Sequence, residues 1–276
     1  MKTNVLRNTL AAFLLAISVA HGQVLQFSVT NLQPSDGFFA TPVWVGLHDG
    51  SFDLFDVGTR ASNGLEVLAE TGNTQPLSDE FAAPGRLQTT VGSGPIGPSD
   101  VISGSITTIN PANYRYLSFA SMIIPSNDGF FGNGDPFAYE VFDADGNFNG
   151  PFTIEILGSD IYDSGTEVNN GSGAAGFSQG FDGLGSGPST DDLTGTVQLH
   201  PDLFSNLIGI QTAAGTTIGS DGSGAIGLNE QVVQIRVDLV DPNAVPEPST
   251  FVIWGFLGLI GVFGLRRKSY RELLAS

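Results

Sequence analysis

The sequence predicts an all-β body, an antiparallel β-sandwich with one or two short helices, flanked by an N-terminal signal peptide and a C-terminal apolar helix. Three observations lead there. Short runs rich in Val, Ile, Phe and Thr are separated by Gly, Asp, Asn and Pro, the pattern of antiparallel strands and their turns. The best-patterned run, Gln231–Val240, puts Val233, Ile235, Val237 and Leu239 on one face and Gln234, Arg236 and Asp238 on the other. Each end of the chain carries an apolar stretch of another kind, set off by basic residues.

At the N-terminus, Lys2 and Arg7 precede an apolar run over 10–20 that is short for a bilayer span. Ala20 and Gly22 are small residues at the two positions a signal peptidase reads. Cleavage between Gly22 and Gln23 is expected, leaving residues 23–244 as the body. Strands are expected near 24–30, 42–48, 101–108, 114–124, 137–142, 152–157, 195–199 and 231–240. Leu65, Leu68 and Ala69 recur at helical spacing, and Gly72 is a plausible stop. A second short helix can follow Pro76. Two glycine-rich stretches, 169–192 and 216–230, read as loops.

The charge balance narrows function. The chain of 276 residues has a formal net charge of −18, and the only basic residues in the body are Arg60, Arg86, Arg115 and Arg236. Such a surface repels phosphate backbones, so nucleic acid is excluded as a partner. It suits divalent cations instead. The chain has no cysteine, which removes disulfides and thiolate metal sites despite the expected oxidising destination.

The C-terminus has three parts in order: Val245-Pro246-Glu247-Pro248-Ser249, an apolar run over 251–265, and Arg266, Arg267 and Lys268. This arrangement resembles a PEP-CTERM sorting tail, with Pro246, Glu247 and Pro248 as its motif. The resemblance implies a segment 245–276 that inserts transiently in the inner membrane of a Gram-negative cell as a sorting helix, and an exosortase that cuts near the motif. It also implies a product at the cell surface or in the extracellular matrix of a biofilm, among polysaccharide or surface proteins.

Several acidic stretches raise the question of metal binding. Asp143, Asp145 and Asn147 occupy the first, third and fifth positions of a possible EF-hand loop. That loop needs Gly sixth and a carboxylate twelfth, where this chain has Phe148 and Ile154. Asp145-Gly146 between two strand-like runs reads instead as a hairpin turn. Asp128 follows a strongly apolar run, and Asp160, Asp163 and Glu167 lie in a polar loop after another. Carboxylates on loops at one end of a sandwich can converge on calcium, which takes six to eight hard oxygens.

Three strings carry a second resemblance. "SVTNLQPSDGFFATPVWVGLHDGSFDLFDVGTRASNGLEVLAETGNTQPL", "SMIIPSNDGFFGN" and "YDSGTEVNN" are similar to a spondin domain, over about residues 25–240. The resemblance implies a C2-like β-sandwich, a non-enzymatic role in matrix and adhesion, and a Ca2+ site on loop carboxylates. By motif, those carboxylates fall on Asp128, Asp163 and Glu167. Glu167 stands where the animal string has Asp, and the cysteines of the animal domains are absent.

The alternative is a secreted hydrolase of matrix polysaccharide or esters. Gly176-Phe177-Ser178-Gln179-Gly180 matches G-x-S-x-G, but it lies in a glycine-rich loop without the strand and helix that a nucleophile elbow needs. His200 is the only nearby candidate base, and no carboxylate pair stands out for glycoside hydrolysis. His48, at a strand end, lacks a second histidine partner for zinc and reads as a packed, hydrogen-bonded residue.

Overall fold

The computed structural model describes residues 22–169, 191–212, 214–220 and 226–240. The signal sequence, Ser178, the Pro246-Glu247-Pro248 motif and the run over 251–265 lie outside the described residues. The elements in chain order are β1 (Gln23–Asn31), β2 (Phe39–Ala40), β3 (Val43–His48), α1 (Asn63–Thr71), α2 (Gln75–Phe81), β4 (Leu87–Val91), β5 (Val101–Thr108), β6 (Tyr116–Ile124), β7 (Gly129–Gly132), β8 (Phe152–Leu157), β9 (Ile161–Asp163), β10 (Gln198–Leu199) and β11 (Gln231–Val240).

These strands form two sheets. One has the order β5-β1-β11-β8, and the other runs β10-β9-β7-β6-β3-β4, with β2 paired to β6. The inner faces meet in one core. Leu25, Phe27 and Val29 of β1 and Val233, Ile235 and Val237 of β11 lie against Val43, Val45, Leu47, Phe119 and Phe131 of the larger sheet. Alternation along β1 and β11 is what the two-sided environment demands: apolar toward the core, polar toward water.

β3 and β6 behave differently. All of β3 is buried, and so is β6 after Tyr116. Their second face is covered by α1 and α2, with Leu65, Leu68, Leu77 and Phe81 packed on Trp44, Ala120 and Phe130. The molecule is thus an all-β domain of two sheets with two short helices on the outside of the larger sheet. α1 starts where Ser62 accepts the N–H of Leu65 at 3.2 Å and ends at Gly72, whose φ of 70° closes the helix through its N–H to the Leu68 carbonyl.

The described structure corrects the expected C-terminal sorting helix. Among the described residues no helix is long and apolar enough to cross a membrane. The run over 251–265 is short for a span and interrupted by four glycines, Gly255, Gly258, Gly261 and Gly264. The strand expected over 137–142 is also absent. Asp135 there accepts the N–H of Phe137 at 2.8 Å and its carbonyl accepts from Ala138, so the chain turns, leaving only isolated bridges such as Tyr116 with Glu140. Four short strands, β2, β4, β7 and β9, had no expectation at all.

Candidate metal centre

β6 ends at Ile124, the chain turns through Ser126, and β7 begins at Gly129. The Ser126 hydroxyl accepts the N–H of Gly129 at 3.0 Å and holds that turn. Asp128 therefore sits at the mouth of a hairpin. β9 pairs with β7 in a register that sets Gly129 opposite Asp163. The loop after β9 then folds back over Asp128.

Asp128 is fully buried, and Asp163 is 1% exposed. Oδ2 of Asp128 accepts three hydrogen bonds: from the Ser164 hydroxyl at 3.0 Å, the Thr166 N–H at 3.0 Å and the Glu167 N–H at 3.1 Å. Its Oδ1 is buried with no hydrogen-bond partner. Gly165 makes the wrap possible. Its φ is +68°, and a Cβ there would lie 2.4 Å from the backbone of Thr196. Asp163 accepts the Gly165 N–H at 2.6 Å, the side-chain amide of Asn169, and that of Gln198 at 3.4 Å.

Burial pushes the Asp128 carboxyl up to about 7, and the neighbouring Asp163 carboxylate pushes it the same way. The three donors pull in the opposite direction without compensating. An unpartnered carboxylate oxygen facing a like charge is what a bound cation would relieve. Around the pair, Glu70 of α1 hydrogen-bonds the Thr166 side chain, and its carboxyl is raised by burial, then by Glu66 and Asp191. Asp191 bridges to Glu167 across the loop.

The structure brings Asp128, Asp163 and Glu167 into one loop cluster. Glu167 is tied to Asp128 through its backbone N–H. Among the described residues, no group of three His, Cys, Asp or Glu side chains is arranged to hold a metal. The acidic donors that meet are the pair Asp128 and Asp163; a calcium shell would be completed by neutral oxygens, which that ion accepts readily.

The other candidates are accounted for. Asp143 accepts the N–H groups of Asp145 at 2.9 Å and Asn147 at 2.8 Å, and the Asn147 amide at 2.8 Å. It is a turn anchor, and these bonds lower its carboxyl below the usual range. Asp160 accepts the Leu157 N–H at 2.9 Å and closes the turn after β8. His48 is buried; its Nδ1 accepts the Gly50 N–H at 3.0 Å, so Nε2 carries the proton and donates to Ser118 Oγ at 3.0 Å. Burial lowers it to about 4, and Arg86 adds to the effect. His200 is buried against Phe204, ring centroids 3.9 Å apart, with Nδ1 3.3 Å from Asp202. Burial lowers its pKa, while Asp163 and Asp202 oppose.

Sequence reasoning missed the hydroxyl and amide donors of Ser164 and Thr166. The only signal was their place in "YDSGTEV", among the acids they serve.

Two family models match this chain. Residues 38–172 match the Spondin_N family, and residues 244–268 match the PEP-CTERM protein-sorting motif. The chain therefore carries a Spondin_N domain, a non-catalytic adhesion and structural module, together with the sorting motif of an exported protein. Its PEP-CTERM motif directs it to exosortase processing and the cell surface. A search of curated proteins gives no match. The matched segment leaves out β1 and β11, the two central strands of the smaller sheet.

Proposed function

We propose that this protein is a calcium-binding adhesion module of the extracellular matrix or cell surface, with the ion held at the Asp128 end. One observation carries the proposal: a fully buried carboxylate, Asp128, keeps one oxygen without a hydrogen bond while Asp163 stands beside it. Asp128 and Asp163 would supply the charged oxygens, and Glu167 or neutral oxygens the remainder. A calcium ion would cancel the repulsion within the pair and tie the β6–β7 hairpin to the loop after β9. Its role would be structural, stiffening a surface that meets polysaccharide or surface proteins.

The test is thermal unfolding of the processed, exported protein in excess calcium and in chelator. A ligand that binds only the folded state stabilises it by about 2.7 kcal/mol at a hundredfold excess over its Kd. A clear calcium-dependent rise, abolished in Asp128→Ala and in Asp163→Ala, supports the proposal. An unchanged transition in the wild type overturns it.

A further inference from the structure

The sheet ladder of β1 starts at its first residue. Gln23 pairs with Thr108, the last residue of β5. Just before it, Gly22 packs on the same strand: a Cβ there would lie 3.0 Å from Cγ2 of Thr107. Thr108 is 1% exposed, and its Oγ1 is buried with no hydrogen-bond partner. Oε1 of Gln23 is also buried and also without a partner. Two orphaned polar atoms thus belong to cross-strand neighbours at one end of the sheet, where buried polar groups are ordinarily bonded.

The same residue stands at the expected export cut. Ala20 and Gly22 occupy the two positions a signal peptidase reads, so cleavage makes Gln23 the new N-terminus. Until the cut, the Gln23 nitrogen is a peptide amide and is not a nucleophile. After it, that nitrogen is a primary amine. An α-amine ordinarily titrates at about 7.7–8.0, so part of it is unprotonated at neutral pH. Its target, the side-chain carboxamide, lies on the same residue at the spacing that closes a five-membered ring. Such proximity replaces a bimolecular encounter.

We propose that signal cleavage after Gly22 is followed by closure of Gln23 to pyroglutamate, leaving the exported protein with a blocked, uncharged N-terminus at the head of β1. The amine nitrogen attacks Cδ of its own side chain, and a Cδ–N bond forms. The bond from Cδ to Nε2 breaks, and Nε2 leaves as ammonia with the proton that the amine gives up. The step exchanges one amide for another, so it consumes no oxidant, reductant or water. The fold favours the product. An ammonium at this half-buried position, paired with the buried Thr108, would carry a desolvation cost that a neutral lactam avoids. Closure also draws Cδ onto the backbone nitrogen, which moves Oε1 out of its unbonded position. The lactam keeps one N–H and one carbonyl for hydrogen bonding. This modification needs export and cleavage only, neither the calcium site nor an adhesion partner.

The test is mass spectrometry of the processed protein purified from the exporting cells, intact and after tryptic digestion. The N-terminal fragment, residues 23–60, should be lighter than its sequence by one ammonia and should give no signal in N-terminal sequencing. Pyroglutamyl aminopeptidase should remove the block from that fragment and expose Val24. Gln23→Ser cannot form the lactam; its fragment should have full mass and read from residue 23, with the cut unchanged. A first residue other than 23 overturns the proposal. So does a free Gln23 that persists over days in the purified protein at neutral pH. A loss of ammonia that resists the aminopeptidase, or that survives in Gln23→Ser, would assign the change to another residue and overturn it as well.

Discussion

The hydroxyl of Ser164 donates to Oδ2 of Asp128 at 3.0 Å, and the same hydroxyl lies 2.6 Å from that of Thr166. Asp128 is thereby held from a loop 36 residues further along the chain. Ser164→Ala removes one of three donors to a buried carboxylate. It should cost about 1–3 kcal/mol in urea unfolding, with the upper end reached above about pH 7, where the acceptor is ionised. It should also weaken any calcium-dependent stabilisation. Equal stability in variant and wild type would show that the donor is replaceable.

The Asp128 carboxyl is raised from 3.8 to about 7 in the folded chain. Between those values the native state holds a proton that the unfolded state has lost. In chelator, this group's contribution is therefore complete below about pH 4 and declines as pH rises through about 7. Calcium should reverse that trend, since it requires the ionised form. The calcium-induced rise in melting temperature should be larger at pH 8 than at pH 5.5. Asp128→Asn should raise stability in chelator at pH 8 by about 1–3 kcal/mol and lose the calcium response.

His48 gives the opposite slope. Its pKa falls from 6.5 to about 4 on folding, so its contribution is present above about pH 6.5 and is lost as pH drops toward 4. His48→Leu would orphan the Gly50 N–H and the Ser118 hydroxyl, costing about 2–4 kcal/mol. It should also flatten acid destabilisation in that window, a change visible in melting curves from pH 4 to 7. His48→Gln, which can restore an acceptor and a donor, should recover part of the loss without restoring the slope.

The segment 38–172 should not fold alone. It lacks β1 and β11, whose Leu25, Phe27, Val29, Val233, Ile235 and Val237 fill the core between the sheets. Circular dichroism of that fragment should show no cooperative thermal transition, while the processed chain shows one.

Much of the fold was legible along the chain. β1, β3, β5, β6, β8 and β11 carry enough apolar, β-branched or aromatic residues to be recognised, and α1 has both its apolar spacing and its Gly72 stop. β7 and β9 were hidden, because three- and four-residue strands have no period of their own. They exist because β6 offers an edge to β7, and β7 in turn offers one to β9. The run over 137–142 failed in the other direction: its apolar residues look like a strand, but Asp135 captures the backbone first.

The acids of the candidate site could be picked out of the chain by their strings, whereas their states could not. Asp128, Asp143 and Asp160 are the same residue type in similar acidic turns. Local sequence determined that Asp143 anchors a hairpin, because its partners lie within four residues. Only the tertiary structure decided that Asp128 would be buried beside Asp163 with one oxygen unbonded, because that arrangement depends on β9 pairing with β7 and on Gly165 passing close to Thr196. Composition likewise determined that the body is acidic. Which way each strand residue faces was set by strand order and register, since alternation assigns a side only after the neighbours are in place.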